Sequence, residues 1–186
     1  LKARKYLNQS KYTRKFEKKF SKFLNSKYSI FVNSGSSANL LMAQVLLEGN
    51  YLKNKVVVLP AVSWSTTVSP FLQLGYKIIL CDCDKDNLGL CTDDLEKICK
   101  KYNPGLVLIV NVLGHSNNNE KIKKLKKKYR FEFIEDNCES LGSKTDKNVL
   151  GTTGLASSHS FYYGHHSSTI EGGMVSTNDK KFYNLS

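Results

Sequence analysis

The feature that most constrains this chain is a regular alternation of short apolar runs with helical segments. Runs at Tyr28–Val32, Lys55–Leu59, Lys77–Cys81, Leu106–Val110, Phe131–Glu135 and Gly172–Thr177 are rich in β-branched and aromatic residues. Each has the length of a buried strand rather than of a helix. Between them lie segments of helical period: Thr13–Leu24 carries Phe16, Phe20, Phe23 and Leu24 on one face, and helices are predicted over Ala38–Leu47, Ser65–Leu74 and Asp93–Lys101. Continuous apolar strands separated by helices predict an α/β fold, a mainly parallel sheet with helices on both faces. In such a sheet ligands gather beyond the carboxyl ends of the strands. Four unusual segments fall there: the turn around Ser34–Ser37, the loop Pro60–Thr67, the turn Glu135–Cys138 and a loop from Ser157 to Gly173.

Composition narrows the class. The chain has 186 residues, 40% of them hydrophobic, enough for about one domain with a substantial core. No apolar run reaches the roughly 20 residues of a membrane-spanning helix. No signal sequence is read at the N-terminus, so a cytoplasmic location is expected and no membrane partner. The chain opens on Leu1 and stops at Ser186 just after a strand, which reads as a fragment cut at both ends. The net charge of +12 raises nucleic acid as a partner. Much of it sits in Lys121–Arg130, where Ile122, Leu125 and Tyr129 recur at helical spacing between lysines, a buried stripe with a solvated face. No zinc-finger spacing or RNA-binding motif accompanies it, so no nucleic-acid partner is expected. Cys81, Cys83, Cys91, Cys99 and Cys138 form no tight repeat and read as reduced thiols, Cys138 excepted below.

The four segments carry chemistry. Small residues in Ser34-Gly35-Ser36-Ser37 link a strand to a helix N-terminus, where unpaired N–H groups and the helix dipole receive an anion such as phosphate; an ordinary capped turn reads the same way. Asp136 and Glu139 directly follow an apolar strand, where a carboxylate can hold a proton on a heteroaromatic nitrogen or merely be solvated. Trp64, the only tryptophan, sits in a polar loop and either stacks on a planar ligand or packs in the core. His165 and His166 stand side by side in Ser160-Phe161-Tyr162-Tyr163-Gly164-His165-His166, an imidazole pair suited to proton transfer near neutral pH.

In this order the blocks VNSGSSAN, PAVSWSTT, EDNCES and SFYYGHH…EGG resemble the sugar aminotransferase family of the DegT/DnrJ/EryC1/StrS type, from about Tyr12 to Asp179. The resemblance implies a fold type I, pyridoxal-phosphate-dependent transferase fold. Residues 1–27 would be an N-terminal helical segment and 28–186 an incomplete cofactor-binding large domain, lacking the family's small C-terminal domain. It implies phosphate binding by Gly35, Ser36 and Ser37 with the Ser160 hydroxyl. It further implies stacking of the cofactor ring on Trp64, pairing of its nitrogen with Asp136, and Glu139 near its substituents. A homodimer with a shared active site is implied as well.

One departure shapes the expected function. The family's aminotransferases carry a cofactor-binding lysine five residues after the serine of the SF segment; here that position is His165, and no lysine occurs between Lys147 and Lys180. An imidazole cannot make the lysine's covalent link but can act as a base. This pattern resembles the nucleotide-sugar 3-dehydratases of the family, which hold pyridoxal or pyridoxamine phosphate noncovalently and remove the C3 hydroxyl of a nucleotide-linked 4-keto-6-deoxyhexose. An ordinary sugar aminotransferase and a catalytically silent relative are the alternatives. In one branch a cysteine at the place of Cys138 is the first ligand of a [2Fe–2S] cluster served by a reductase partner, so Cys138 is a candidate metal ligand.

Overall fold

The computed structural model describes residues 10–145 and 148–186, so the first nine residues of the expected N-terminal segment lie outside the described part. The strands, numbered in chain order, are β1 (Tyr28–Val32), β2 (Val56–Pro60), β3 (Lys77–Cys81), β4 (Leu106–Val110), β5 (Glu132–Asp136), β6 (Ala156–Ser160) and β7 (Gly173–Thr177). The helices are α1 (Lys11–Leu24), α2 (Gly35–Glu48), α3 (Ser65–Gln73), α4 (Thr92–Tyr102), α5 (Asn119–Tyr129) and α6 (Lys180–Leu185). All strands join one sheet in the order β1-β7-β6-β5-β4-β2-β3. The run from β6 to β3 is parallel, whereas β7 is antiparallel to both β6 and β1.

The pleat sorts side chains to two layers. Val57, Leu59, Leu106, Leu108 and Ile134 face a core shared with Met42 of α2, Phe71 of α3 and Phe182 of α6. Their neighbours Val58, Val107, Ile109 and Phe133 face Leu95 of α4 and Ile122 and Leu125 of α5. At the β7 end, Phe20 and Leu24 of α1 pack with Phe161 and Met174. The basic run on α5 therefore buries one apolar stripe, and its Lys121, Lys126 and Lys128 pair with Asp93, Glu132 and Glu96.

Most strands match their sequence signal. One segment does not: the expected loop from Ser157 begins as a central strand, β6, every residue of which is buried. Its sequence, Ala-Ser-Ser-His-Ser, has none of the β-branched residues that mark strands. Instead, Ser157 Oγ meets His159 Nε2 inside the layer at 3.0 Å. The topology brings the carboxyl ends of β1, β2, β4, β5 and β6 to one edge together with the start of β7, where a cleft opens.

Candidate active site

The cleft has a volume of ≈ 640 Å³ and lies against the N-terminus of α2. Ser34 caps that helix: its hydroxyl accepts the Ser37 N–H at 3.0 Å and donates to Ser37 Oγ at 3.1 Å. Among the first-turn N–H groups, which have no intrahelical acceptor, this leaves those of Gly35 and Ser36 facing the cleft. Ser37, expected beside them, does not line it, because both its polar groups are turned to the cap. Gly35 is fixed by contact: a Cβ there would lie 2.7 Å from Ser160 Cβ and 2.9 Å from Cys138 Sγ. Gly173 lies equally close beneath, since a Cβ on it would meet the Ser34 carbonyl oxygen at 2.2 Å. Three segments distant in sequence thus form one tight cradle at the helix end.

At the other end of the cleft stands Asp136, the last residue of β5, 5% exposed and not the solvated loop acid of the plainer reading. Its Oδ2 accepts from Thr67 Oγ1 at 2.7 Å and from Asn39 Nδ2 at 2.9 Å, and its Oδ1 from the Cys138 N–H at 3.2 Å. Glu139 also lines the cleft and accepts the Leu113 N–H at 3.0 Å. That bond holds Leu113 in the left-handed region (φ 50°, ψ 24°), a conformation uncommon for a side chain of this size. Ser160 ends β6, 8% exposed, with its hydroxyl toward the cradle and accepting the Tyr162 N–H at 3.3 Å.

Trp64 is 72% exposed at the mouth of the cleft, outside the core. His165 and His166 part company. His165 lines the cleft, its N–H bonded to the Tyr162 carbonyl at 3.0 Å and its ring edge-on to the Tyr162 ring at 6.0 Å. His166 is exposed and lies outside the lining. Cys138 lines the wall, where burial, with the Asp136 charge adding to it, pushes its thiol well up. No group of three or more His, Cys, Asp or Glu suited to a metal occurs among the described residues. The cluster reading of Cys138 therefore finds no support, and the thiol fills space against Gly35.

Sequence reasoning missed four residues. Asn39, Thr67 and Glu171 also line the cleft, and Glu135 lies beneath it with no exposure. The Glu135 carboxylate accepts the N–H groups of Gly151, Thr153 and Gly154, the Thr153 hydroxyl and the Asn111 amide. Glu171, just before the glycine pair, was in view as part of a motif without a role. Among the described residues the lining includes no lysine or arginine, despite the net charge of +12.

A family model described as the DegT/DnrJ/EryC1/StrS aminotransferase family matches residues 1–185. A curated GDP-4-keto-6-deoxy-D-mannose 3-dehydratase from Yersinia pseudotuberculosis is 37% identical over 175 residues, covering 92% of this chain and 44% of the relative. The structure of an E. coli GDP-4-keto-6-deoxy-D-mannose-3-dehydratase with bound hydrated PLP superposes with a TM-score of 0.86 at 36% identity, covering 95% of this chain and 46% of that one. Helicobacter pylori PseC, an aminotransferase involved in pseudoaminic acid biosynthesis, gives a TM-score of 0.90 at 28% identity, covering 98% of this chain and 48% of the other. The chain spans about half the length of these relatives. With its four sequence blocks converged on one cleft and its whole described length matched, this chain belongs to the DegT/DnrJ/EryC1/StrS aminotransferase family.

Proposed function

We propose that the full-length protein removes the C3 hydroxyl of a nucleotide-linked 4-keto-6-deoxyhexose, using pyridoxal or pyridoxamine 5′-phosphate held without a covalent link. The observation that carries this reading is His165 in the cleft wall, at the family's lysine position, in a lining with no lysine among the described residues. The cleft fits the cofactor at both ends. The cradle at Gly35, which a Cβ would fill, presents two free N–H groups to an anion, and a buried carboxylate stands across from it. When bound, the cofactor supplies an amine for the sugar ketone and a ring that accepts electrons.

The residues divide the work. Gly35, Ser36 and the Ser160 hydroxyl hold the phosphate, and Trp64 offers its free face to the ring. Asp136 keeps the ring nitrogen protonated, and Glu139, fixed by Leu113, faces the ring substituents. His165 takes and returns the proton as the C3–O bond breaks and water leaves. The dehydratase relatives from Yersinia and E. coli support this reading. An anionic nucleotide sugar finds no cation in the lining, so its counter-charges come from other parts of the protein, and we include a second subunit among them. The reading includes neither an iron–sulfur cluster nor the reductase such a cluster would require. No helix among the described residues is long and apolar enough to cross a membrane; cytoplasmic location belongs to the proposal.

The test mixes full-length protein with pyridoxamine phosphate and a GDP-linked 4-keto-6-deoxyhexose, followed by mass spectrometry. Net loss of one oxygen atom from the sugar, with pyridoxamine phosphate consumed to pyridoxal phosphate and ammonia released, is the expected result. Gain of an amine dependent on glutamate would assign the aminotransferase reading, which the likeness to PseC keeps in play; no change would overturn both. His165→Asn is expected to lower turnover by about 10²–10⁴-fold, the usual contribution of a positioned base, while cofactor binding persists. Unchanged turnover would remove His165 from the role.

A further inference from the structure

We propose that Asn39 and Thr67 are positioning residues that fix the orientation of the Asp136 carboxylate. The inference rests on the reading that Asp136 faces the ring nitrogen. Both side chains donate to the same carboxylate oxygen, Oδ2, at 2.9 Å and 2.7 Å, while Oδ1 takes only the backbone N–H of Cys138 at the longer distance of 3.2 Å. Asn39, Thr67 and Asp136 are 2%, 1% and 5% exposed, so water does not compete for these bonds. Two donors on one oxygen fix the carboxylate plane. Held in that plane, the carboxylate stays aimed at the nitrogen of a ring bound in the cleft.

The amide of Asn39 is oriented by that charge. Its Nδ2 also reaches the Thr66 carbonyl at 3.3 Å, and its Oδ1 is buried with no hydrogen-bond partner among the described residues. Turning the amide over would set Oδ1 against the carboxylate, so one unsatisfied oxygen is the cheaper arrangement. The placement matters as much as the bonds. Asn39 lies four residues, about one turn, into the helix whose first residues form the anion cradle, and Thr67 lies three residues beyond Trp64 on α3. One hydrogen-bonded set therefore fixes the distance between the anion end, the aromatic face and the carboxylate.

The experiment uses full-length protein loaded with pyridoxal 5′-phosphate labelled at the ring nitrogen, whose nuclear magnetic resonance position reports protonation. Thr67→Val, near-isosteric and lacking the donor, and Asn39→Ala are each expected to move the signal toward the unprotonated position. Turnover should fall about 10-fold through kcat, the scale of one lost hydrogen bond to a charge, and Thr67→Ser should restore both. If Asn39→Ala fails to fold, Thr67→Val and Thr67→Ser still decide the matter. Asp136→Asn separates the two levels. If it moves the signal while Thr67→Val and every folded Asn39→Ala sample do not, the positioning role is overturned and the reading of Asp136 stands. If Asp136→Asn leaves the signal unmoved, that reading falls and this inference with it.

Discussion

His159 sits one residue before Ser160 on β6, yet the pleat turns it away from the cleft and into the layer under α1. There the Phe20 ring meets it edge-on at 5.0 Å, and burial pushes its imidazole down to about 3. The folded protein thus holds it neutral where the unfolded chain protonates it near 6.5. Between those two values the unfolded state binds the extra proton, so stability falls as pH drops below about 6.5, by up to about 1.4 kcal/mol per pH unit, and levels off near pH 3. His159→Gln is expected to flatten that slope relative to the parent protein in urea titrations at pH 7 and pH 5; equal slopes would refute the assignment. At this scale the sequence was readable where a residue type is rare or a motif dense. Gly35, Ser36, Asp136, Ser160 and His165 all reach the cleft. Asn39 and Thr67 close two of the quoted blocks, yet no role for them was readable, since each gains meaning only when β5 places Asp136 against it.

Among the elements, β6 shows why a pattern of apolar runs falls short. A strand flanked by others on both sides needs no apolar sequence if enough of its polar atoms are paired within the layer, as those of Ser157 and His159 are. The loop that precedes β6 is held in the same currency. Glu135 gathers four donors from Gly151, Thr153 and Gly154 on that loop and one from Asn111. Asn111 also donates to Asn137 at 3.1 Å, and Asn117 donates to Asn111 at 3.2 Å, extending the network toward α5. Glu135→Ala leaves the buried Gly151 N–H and Asn111 amide, and the half-buried N–H groups of Thr153 and Gly154, without this acceptor. It is expected to cost on the order of 3–5 kcal/mol of unfolding free energy, the scale of breaking a buried charged network, measurable by urea denaturation. A loss below about 1 kcal/mol would show that water takes the carboxylate's place. Reading this from Ile-Glu-Asp alone was impossible, because the first acid turns inward beneath the cleft and the second turns into it.

The molecule as a whole presents apolar groups around the cleft mouth that a single chain does not cover. Trp64, Leu113 and Tyr163 are each 72% exposed, and Ile170 is 80% exposed. Ile170 also has φ 72°, a genuine outlier for a β-branched residue. These features support the proposed second subunit. The full-length protein is expected to sediment at twice its chain mass, and Ile170→Asp to shift it toward monomer and reduce turnover. A parent protein that sediments as a monomer at micromolar concentration would refute this. The parallel body of the sheet was plain from its apolar runs, whereas the reversal at β7 left no mark in the sequence, since strand direction has no compositional signature.

That reversal has a consequence for how the chain is made. β1 completes the sheet only by pairing with β7, and Ser29 meets Ser176 across a separation of 147 residues. Synthesis at about 5–20 residues per second puts roughly 7–30 s between the two on the ribosome. During that interval α1 and β1 wait without their dock, with Phe16, Phe20 and Leu24 uncovered, while the strands between them assemble. The amino-terminal helix and strand are therefore the last pieces of this sheet to be secured, and their apolar face is the surface a chaperone would meet first.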